Sequence, residues 1–309
     1  MKRIAVLGAG VMGHGIAQIY AQEGYDVRLY DVAKQGQEKA KELIENSMDL
    51  FVKEKLIARE KKEQAIQNLI YTTNLAEAVT DVGMVIEVVP EVIELKWDIF
   101  RQIEEIVGKE VIIASNTSAF PLSTLRQQSQ HPERFIITHF FNPAQLVPLV
   151  EIIQDEKTAP KVVETTKQYI ESIQKSPIVL QKEVPGFVAN RLQAAVAREV
   201  YWLLENGVAS PEDIDIAMRD GLGFRWAFIG PLKTNDFGGL DTLKRVFDHL
   251  FPLLSNADST PEFLGKLVKE GKLGVKTGEG FYSYDNQSVQ EQIQERDENF
   301  IRLLKQRNQ

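Results

Sequence analysis

Apolar positions fall into short unbroken runs over the first 184 residues and into helical spacing after that. The run Lys2 to Leu7 reads as a buried strand. "GAGVMGHGIA" follows it, and a helical pattern continues through Ile16, Ile19 and Tyr20 until Gly24 stops it. "YDVRLYD" is a second strand, ending at Asp31. "VGMVIEVV", "VIIASNTS", "FIITHFF" and "LVEII" are further strand-like runs separated by helical segments, and "SPIVLQ" is the last. This alternation predicts an α/β fold: a doubly wound, mostly parallel, Rossmann-type dinucleotide domain over residues 1–184. Residues 38–68 break the rhythm with a highly charged helical stretch, expected as a projecting helix pair. That pair is either a solvated amphipathic hairpin or a clamp for an anionic substrate tail.

From residue 185 to 309 the pattern predicts an all-α domain. Ser210 is expected as an N-cap, with Pro211 in the first turn and Asp213 three residues on. "GLGFRWAFIGP" reads as a loop rich in glycine and aromatic residues, and "GKLGVKTGEGFYSY" as another glycine-rich segment. The last 25 residues read as a charged terminal helix. A helical domain of this kind behind a dinucleotide domain tends to expose an apolar face, so the expected assembly is a homodimer through that domain.

Composition narrows the function. A chain of 309 residues, 43% hydrophobic and 26% charged, has room for two domains with real cores. The net charge of -8 argues against nucleic acid and anionic membranes as partners, since both need a basic face. A small anionic substrate needs only a local basic patch. The absence of cysteine removes disulfides, thiolate metal sites and a cysteine nucleophile. Four histidines without an H-x-x-x-H or H-E-x-x-H pair give no support to a metal site. No apolar run approaches the roughly 18 residues of a membrane span. The chain enters a strand and a glycine turn directly, so no secretory signal and a cytoplasmic location are expected.

Gly8, Gly10 and Gly13 stand in G-x-G-x-x-G spacing between the first strand and helix, with Val11 and Met12 inside the turn. Gly8 permits the tight turn, Gly10 lets a pyrophosphate approach the backbone, and Gly13 lets helix and strand pack closely. The helix N-terminus then offers N–H groups and a positive dipole end to the phosphates. Asp31 closes the second strand, where a carboxylate accepts from ribose hydroxyls and repels a 2′-phosphate. The cofactor read from this order of elements is NAD.

"RFIITHFFNPAQLVPLVEII" places His139, Asn142 and Glu151 inside two β-branched apolar runs. Polar groups there cost several kcal/mol unless paired. His139 and Glu151 either satisfy each other as a structural pair or do chemistry.

Six segments in order, "GAGVMGHGIA", "VIEVVPE", "ASNTSAFP", "HFFNPAQLVPLVEI", "VPGFVANR" and "GKLGVKTGEGFYSY", resemble the L-3-hydroxyacyl-CoA dehydrogenase family over nearly the whole chain. The resemblance implies a dinucleotide domain followed by a helical dimerisation domain, and NAD-dependent oxidation of a 3-hydroxy to a 3-keto group. It implies His139 as general base and Glu151 as its orienting partner. Ser118 and Asn190 then lie around the reacting oxygen. Glu91, Lys96, Asn142 and Lys276 fall on cofactor positions. Other roles stay open for several of these: Ser118 as a helix cap, Asn190 as a backbone partner at the domain junction, and Glu91 with Lys96 as a surface pair. Acyl-CoA relatives contact CoA through a serine and a lysine on the helix pair; Ser47 matches the first, while Glu54, flanked by Lys53 and Lys55, stands at the second. "GLGFRWAFIGPL" instead resembles the L-gulonate 3-dehydrogenase (lambda-crystallin) and L-carnitine dehydrogenase branch. Arg225 either clamps a free carboxylate or pairs with an acid such as Asp220. The expected substrate is a short L-3-hydroxyacyl-CoA, with a free 3-hydroxy acid as the alternative. A protein that binds NAD(H) without turnover is the remaining class.

Overall fold

The computed structural model describes residues 2–284 and 286–307. Eight strands form one sheet in the order β3-β2-β1-β4-β5-β6-β7-β8. They are β1 (Arg3–Leu7), β2 (Asp26–Tyr30), β3 (Leu69–Thr72), β4 (Met84–Glu87), β5 (Ile112–Ser115), β6 (Phe135–Phe140), β7 (Leu149–Ile153) and β8 (Ser176–Leu180). Every pairing is parallel except β6 with β7. The order reverses between β1 and β4, which is where a doubly wound sheet opens a crevice at its carboxyl edge.

Three helices cover one face with the core of Ile4, Val6, Ile16, Val27, Ile44 and Ile86: α1 (Gly13–Gln22), α2 (Lys34–Lys53) and, at the far end, α7 (Pro160–Ser172). On the other face α4 (Leu75–Val79), α5 (Ile93–Ile106) and α6 (Leu122–Leu125) pack with Leu7, Val85, Ile113 and Ile137. Strands buried on both faces have no polar side to show, which is why their sequence runs are continuous rather than alternating. The projecting stretch is α2 followed by α3 (Arg59–Gln67). Strand β3 escaped the sequence reading. It is four residues long, lies at the sheet edge and leaves Ile70 exposed, so it carries little of the apolar signal of a central strand.

The chain divides into two compact units, residues 1–188 with 293–309, and residues 189–292. The sequence had placed all of 185–309 in the helical domain. The terminal helix α14 (Asn286–Arg307) instead contributes its second half to the first unit, where Ile301 is fully buried with Phe51 and Leu146.

The second unit is helical: α8 (Ala189–Glu205), α9 (Pro211–Ile216), α10 (Phe224–Trp226), α11 (Pro231–Gly238), α12 (Leu240–Leu250) and α13 (Glu262–Lys269). Ser210 caps α9 by accepting from Asp213 N–H at 3.1 Å, with Pro211 behind it. The expected loop at "GLGFRWAFIGP" is a correction: Ala217–Gly223 winds as a π-helix and runs on into α10. Glycine spacing suggested a break, but none of Gly221, Gly223 or Gly230 takes a positive φ there. Among the described residues of this unit only Ile214 and Val289 are buried hydrophobics, while Leu232, Phe237, Phe224 and Phe228 are two-thirds or more exposed. No helix is long and apolar enough to cross a membrane among the described residues.

Candidate active site

The turn after β1 is built for close approach. A Cβ on Gly8, whose φ is +110°, would sit 2.6 Å from Val88 O, and one on Gly13 would sit 1.7 Å from Gly8 O. Both glycines are therefore required by the protein's own packing. Gly10 is different: a Cβ there would meet nothing within 4 Å. Its bare backbone faces open space, as it must if a pyrophosphate is to lie against it. Helix α1 also has no side-chain N-cap and no acidic residue in its first turn, so no side chain of the described residues competes for its dipole end. These residues fit a dinucleotide. Val11 is exposed and Met12 half-buried at the turn. Asp31 directly follows β2 and binds back to the turn, Oδ2 accepting from Ala9 N–H at 2.9 Å and Oδ1 from Ala33 N–H at 3.0 Å. His14, to which the sequence gave no role, bonds Gly10 O through Nδ1 at 2.8 Å. Burial pulls its pKa down, opposed by that bond.

Across the crevice, a buried polar network ties β4, β5 and α5 together. Lys96, 1% exposed, reaches Glu87 at 2.7 Å and Glu91 at 3.4 Å. Glu87 is wholly buried and also accepts from Ser115 Oγ at 2.6 Å and Val89 N–H at 2.7 Å. Burial pushes the Glu87 carboxyl up, and Lys96 with the two other donors pulls it back. Glu91 accepts from Thr117 Oγ1 and Ser118 N–H, both at 3.0 Å. Lys96 and Glu91 are thus no ordinary surface pair: they anchor the turn that carries Ser118. Ser118 itself is exposed and caps nothing, because α6 starts from Pro121. Glu87 was missed from sequence because it reads as the polar end of an apolar strand. A carboxylate closing "MVIE", nine residues before Lys96, was the available signal.

His139 and Glu151 face each other in register on the antiparallel β6–β7 pair. Nδ1 lies 2.8 Å from Glu151 Oε2, and Glu151 Oε1 accepts from Val188 N–H at 2.9 Å. Glu151 is fully buried and His139 is 6% exposed. With the carboxylate accepting, Nδ1 holds the proton and Nε2 presents a lone pair. Nε2 has no hydrogen-bond partner among the described residues. The rings of Phe141 and Phe187 lie 4.5 and 5.4 Å from the imidazole, centroid to centroid. Asn142 is exposed and precedes a cis peptide to Pro143.

The first unit thus holds the dinucleotide turn, the Glu87–Lys96–Glu91 network, Ser118 and the His139–Glu151 pair. Asn190, Arg225 and Lys276 are carried by the second unit, on α8, on α10 and in the glycine-rich segment. Arg225 does not pair with Asp220. That acid is held by Arg219 at 2.7 Å, which lowers its pKa, and the exposed Arg225 makes no ion pair among the described residues. On the helix pair, Ser47 is half-buried and Lys55 exposed. Lys53 is engaged by Glu298 of α14 at 3.0 Å, and Lys305 bonds the backbone oxygen of Glu54.

Comparison with known proteins shows the family. The profile of the 3-hydroxyacyl-CoA dehydrogenase NAD-binding domain matches residues 3–184, and that of the C-terminal domain of the same family matches residues 186–284. The 5-formyl-3-hydroxy-2-methylpyridine 4-carboxylate 5-dehydrogenase of Mesorhizobium japonicum is 36% identical, covering 92% of this chain and 91% of its own. A crystal structure of an enzyme of that activity, described as an NAD+-dependent dismutase, superposes with a TM-score of 0.92 at 35% identity, covering 98% and 97% of the two chains. The probable 3-hydroxybutyryl-CoA dehydrogenase of Deinococcus radiodurans is 37% identical over 91% of this chain and 100% of its own. L-carnitine dehydrogenase of Bacillus cereus is 34% identical over 98% and 92%.

Proposed function

Because the chain belongs to the 3-hydroxyacyl-CoA dehydrogenase family and is an NAD-dependent oxidoreductase, we propose that it interconverts a hydroxyl and a carbonyl on a free hydroxy acid, with His139 as general base. The observation that carries the chemistry is the buried His139–Glu151 pair with Nε2 left open. His139 Nε2 accepts the hydroxyl proton, and Glu151 holds the ring and stabilises the imidazolium that results. Val188 N–H keeps the carboxylate aimed. Phe141 and Phe187 flank the ring and limit water around it. Ser118 and Asn190 bond the reacting oxygen. Gly8, Gly10, Val11, Met12, Gly13, Asp31, Glu91, Lys96, Asn142 and Lys276 hold the dinucleotide. Bound NAD supplies the two-electron acceptor for the carbinol hydrogen.

Two features favour a free acid over a thioester. Lys53 and Glu54, beside which a CoA tail is expected in the acyl-CoA relatives, are engaged by the terminal helix. Arg225 offers a guanidinium fork that no ion pair of the described residues occupies and that suits a carboxylate. The pyridine-carboxylate and carnitine relatives act on substrates of that kind, by their names. A second reading, a short L-3-hydroxyacyl-CoA, is supported by the similarity to the Deinococcus enzyme and by Ser47 and Lys55, both accessible on the helix pair. The site is expected to work in a homodimer, because the exposed apolar side chains of the second unit need a cover. A cytoplasmic location goes with this reading.

The test is NADH formation with L-carnitine, L-gulonate, free 3-hydroxybutyrate and 3-hydroxybutyryl-CoA. The proposal expects turnover on a free acid, with Arg225→Ala raising its KM by about tenfold or more. Turnover on the thioester alone, indifferent to Arg225, would transfer the assignment to the acyl-CoA branch. NADH binding without turnover on any substrate would leave a non-catalytic binder.

A further inference from the structure

A cavity of about 360 Å3 lies within the first unit, away from the dinucleotide turn. Its walls come from the C-terminal ends of α1, α2 and α7, the segment joining β6 to β7, and the last turn of α14. That size is within the range of small-ligand pockets. Lys175 lines it, 9% exposed, its Nζ donating to Val147 O at 2.8 Å. No carboxylate lies within ion-pair distance of Lys175 among the described residues. The other charged groups of the wall are Glu23, Lys61 and Arg307. Glu23 is already matched by Lys61 at 2.7 Å, and among the described residues Arg307 reaches Ser176 Oγ, at 3.3 Å. The wall therefore carries an amine and a guanidinium that no carboxylate of the described residues pairs, in a protein of net charge -8.

The backbone that delivers Lys175 is unusual. Helices α1, α2 and α7 all end in the same two-bond cap. Tyr25, Leu56 and Lys175 N–H bond back to Tyr20, Phe51 and Ile170 O, and Gly24, Lys55 and Gln174 N–H to Ala21, Val52 and Glu171 O. This motif wants glycine at the left-handed position and an apolar residue after it. Helix α1 complies with Gly24 and Tyr25. Helices α2 and α7 instead hold Lys55 at φ +55° and Gln174 at φ +59°, and of the three caps only that of α7 is followed by a buried lysine. A left-handed non-glycine is strained and a buried amine is desolvated, and the second is the larger cost. The free protein thus spends stability to hold an amine over a cavity. Burial alone pulls its pKa to about 7.

We propose that this cavity binds a small anion, a hydroxy acid or a hydrogen phosphate, whose acidic head meets Lys175 and Arg307. Leu56, Leu146 and Phe51 provide room for a short apolar body. The anion stabilises the charged amine, so binding of a hydroxy acid, which does not itself titrate near neutral pH, must draw a proton from solution.

The experiment is isothermal titration calorimetry of the whole protein saturated with NAD, so that the glycine turn is filled. Inorganic phosphate and L-lactate are titrated separately, in phosphate-free buffers of differing ionisation heat. Saturable binding of either, with fractional proton uptake in the case of L-lactate, is the expected result, and which ligand binds identifies the head group. Lys175→Arg should keep binding and lose the proton uptake, because a guanidinium is always charged. Arg307→Gln should weaken binding roughly tenfold. No saturable binding of either ligand, or binding unaltered in both variants, overturns the proposal.

Discussion

Replacing Glu151 by glutamine changes almost no volume but removes a charge and an acceptor from the centre of the site. The carboxylate takes donors that include Nδ1 of His139 at 2.8 Å and Val188 N–H at 2.9 Å. A primary amide has one oxygen to offer. If that oxygen turns to Val188, its NH2 faces Nδ1 and forces the proton onto Nε2, where the base can no longer accept. If it turns to His139, Val188 N–H is left buried against a donor, at about 1–3 kcal/mol. In either orientation a charge-assisted bond becomes a neutral one, roughly half as strong, just as the ring becomes positive. Together these amount to about 3–4 kcal/mol of transition-state stabilisation, or roughly two to three orders of magnitude in kcat. Steady-state NADH formation at saturating substrate reads it. Fluorescence titration with NADH should show unchanged affinity, since the dinucleotide turn follows β1. A variant within about threefold of wild-type kcat would refute the role given to the carboxylate.

Lys96→Met strands Glu87 in the core and should cost about 3–5 kcal/mol in urea unfolding, with most of the loss recovered on adding Glu87→Gln; a loss under about 1 kcal/mol would show that the network is not the anchor described. Asp31→Ala removes both the ribose acceptor and the brace on Ala9 N–H, so NAD binding should weaken about tenfold or more with kcat at saturation little changed. Lys175 has a folded-state pKa of about 7 against 10.5 for the free side chain. Between those values the unfolded chain holds a proton that the folded one lacks, so stability should climb with pH from about 7 towards 10.5, by on the order of a few kcal/mol. Denaturation midpoints across that window should flatten in Lys175→Met, and an unchanged slope would count against the buried amine.

Much of the first unit is legible from sequence because its strands are buried on both sides and bounded by glycine turns. Glycine spacing and the acid at Asp31 place the dinucleotide turn without any structure. His139 and Glu151 stand out as polar residues in apolar runs, but only strand pairing brings them together across 12 positions. Glu87 was hidden because a carboxylate at a strand end usually means solvent, and here α5 supplies a lysine instead. Strand β3 was too short and too exposed to register. The π-helical turn before Arg225 was lost among glycines that do not use their conformational freedom. The terminal helix was assigned by its place in the chain, whereas what settles its position is Ile301 against Phe51 and Leu146.

Because β6 and β7 run antiparallel, His139 and Glu151, the proposed base and its partner, occupy opposite ends of one cross-strand rung, and their separation inherits the stiffness of the sheet. The segment between them can lengthen, shorten or change its side chains without moving either group. A slip of a single residue in the pairing would turn one of them to the opposite face and abolish the site outright. Chemistry fixed in a ladder and recognition carried elsewhere is an arrangement in which substrates can diverge while the reaction stays the same. The pyridine carboxylate, carnitine and hydroxybutyryl-CoA in the names of this chain's relatives are the spread of substrates such an arrangement permits.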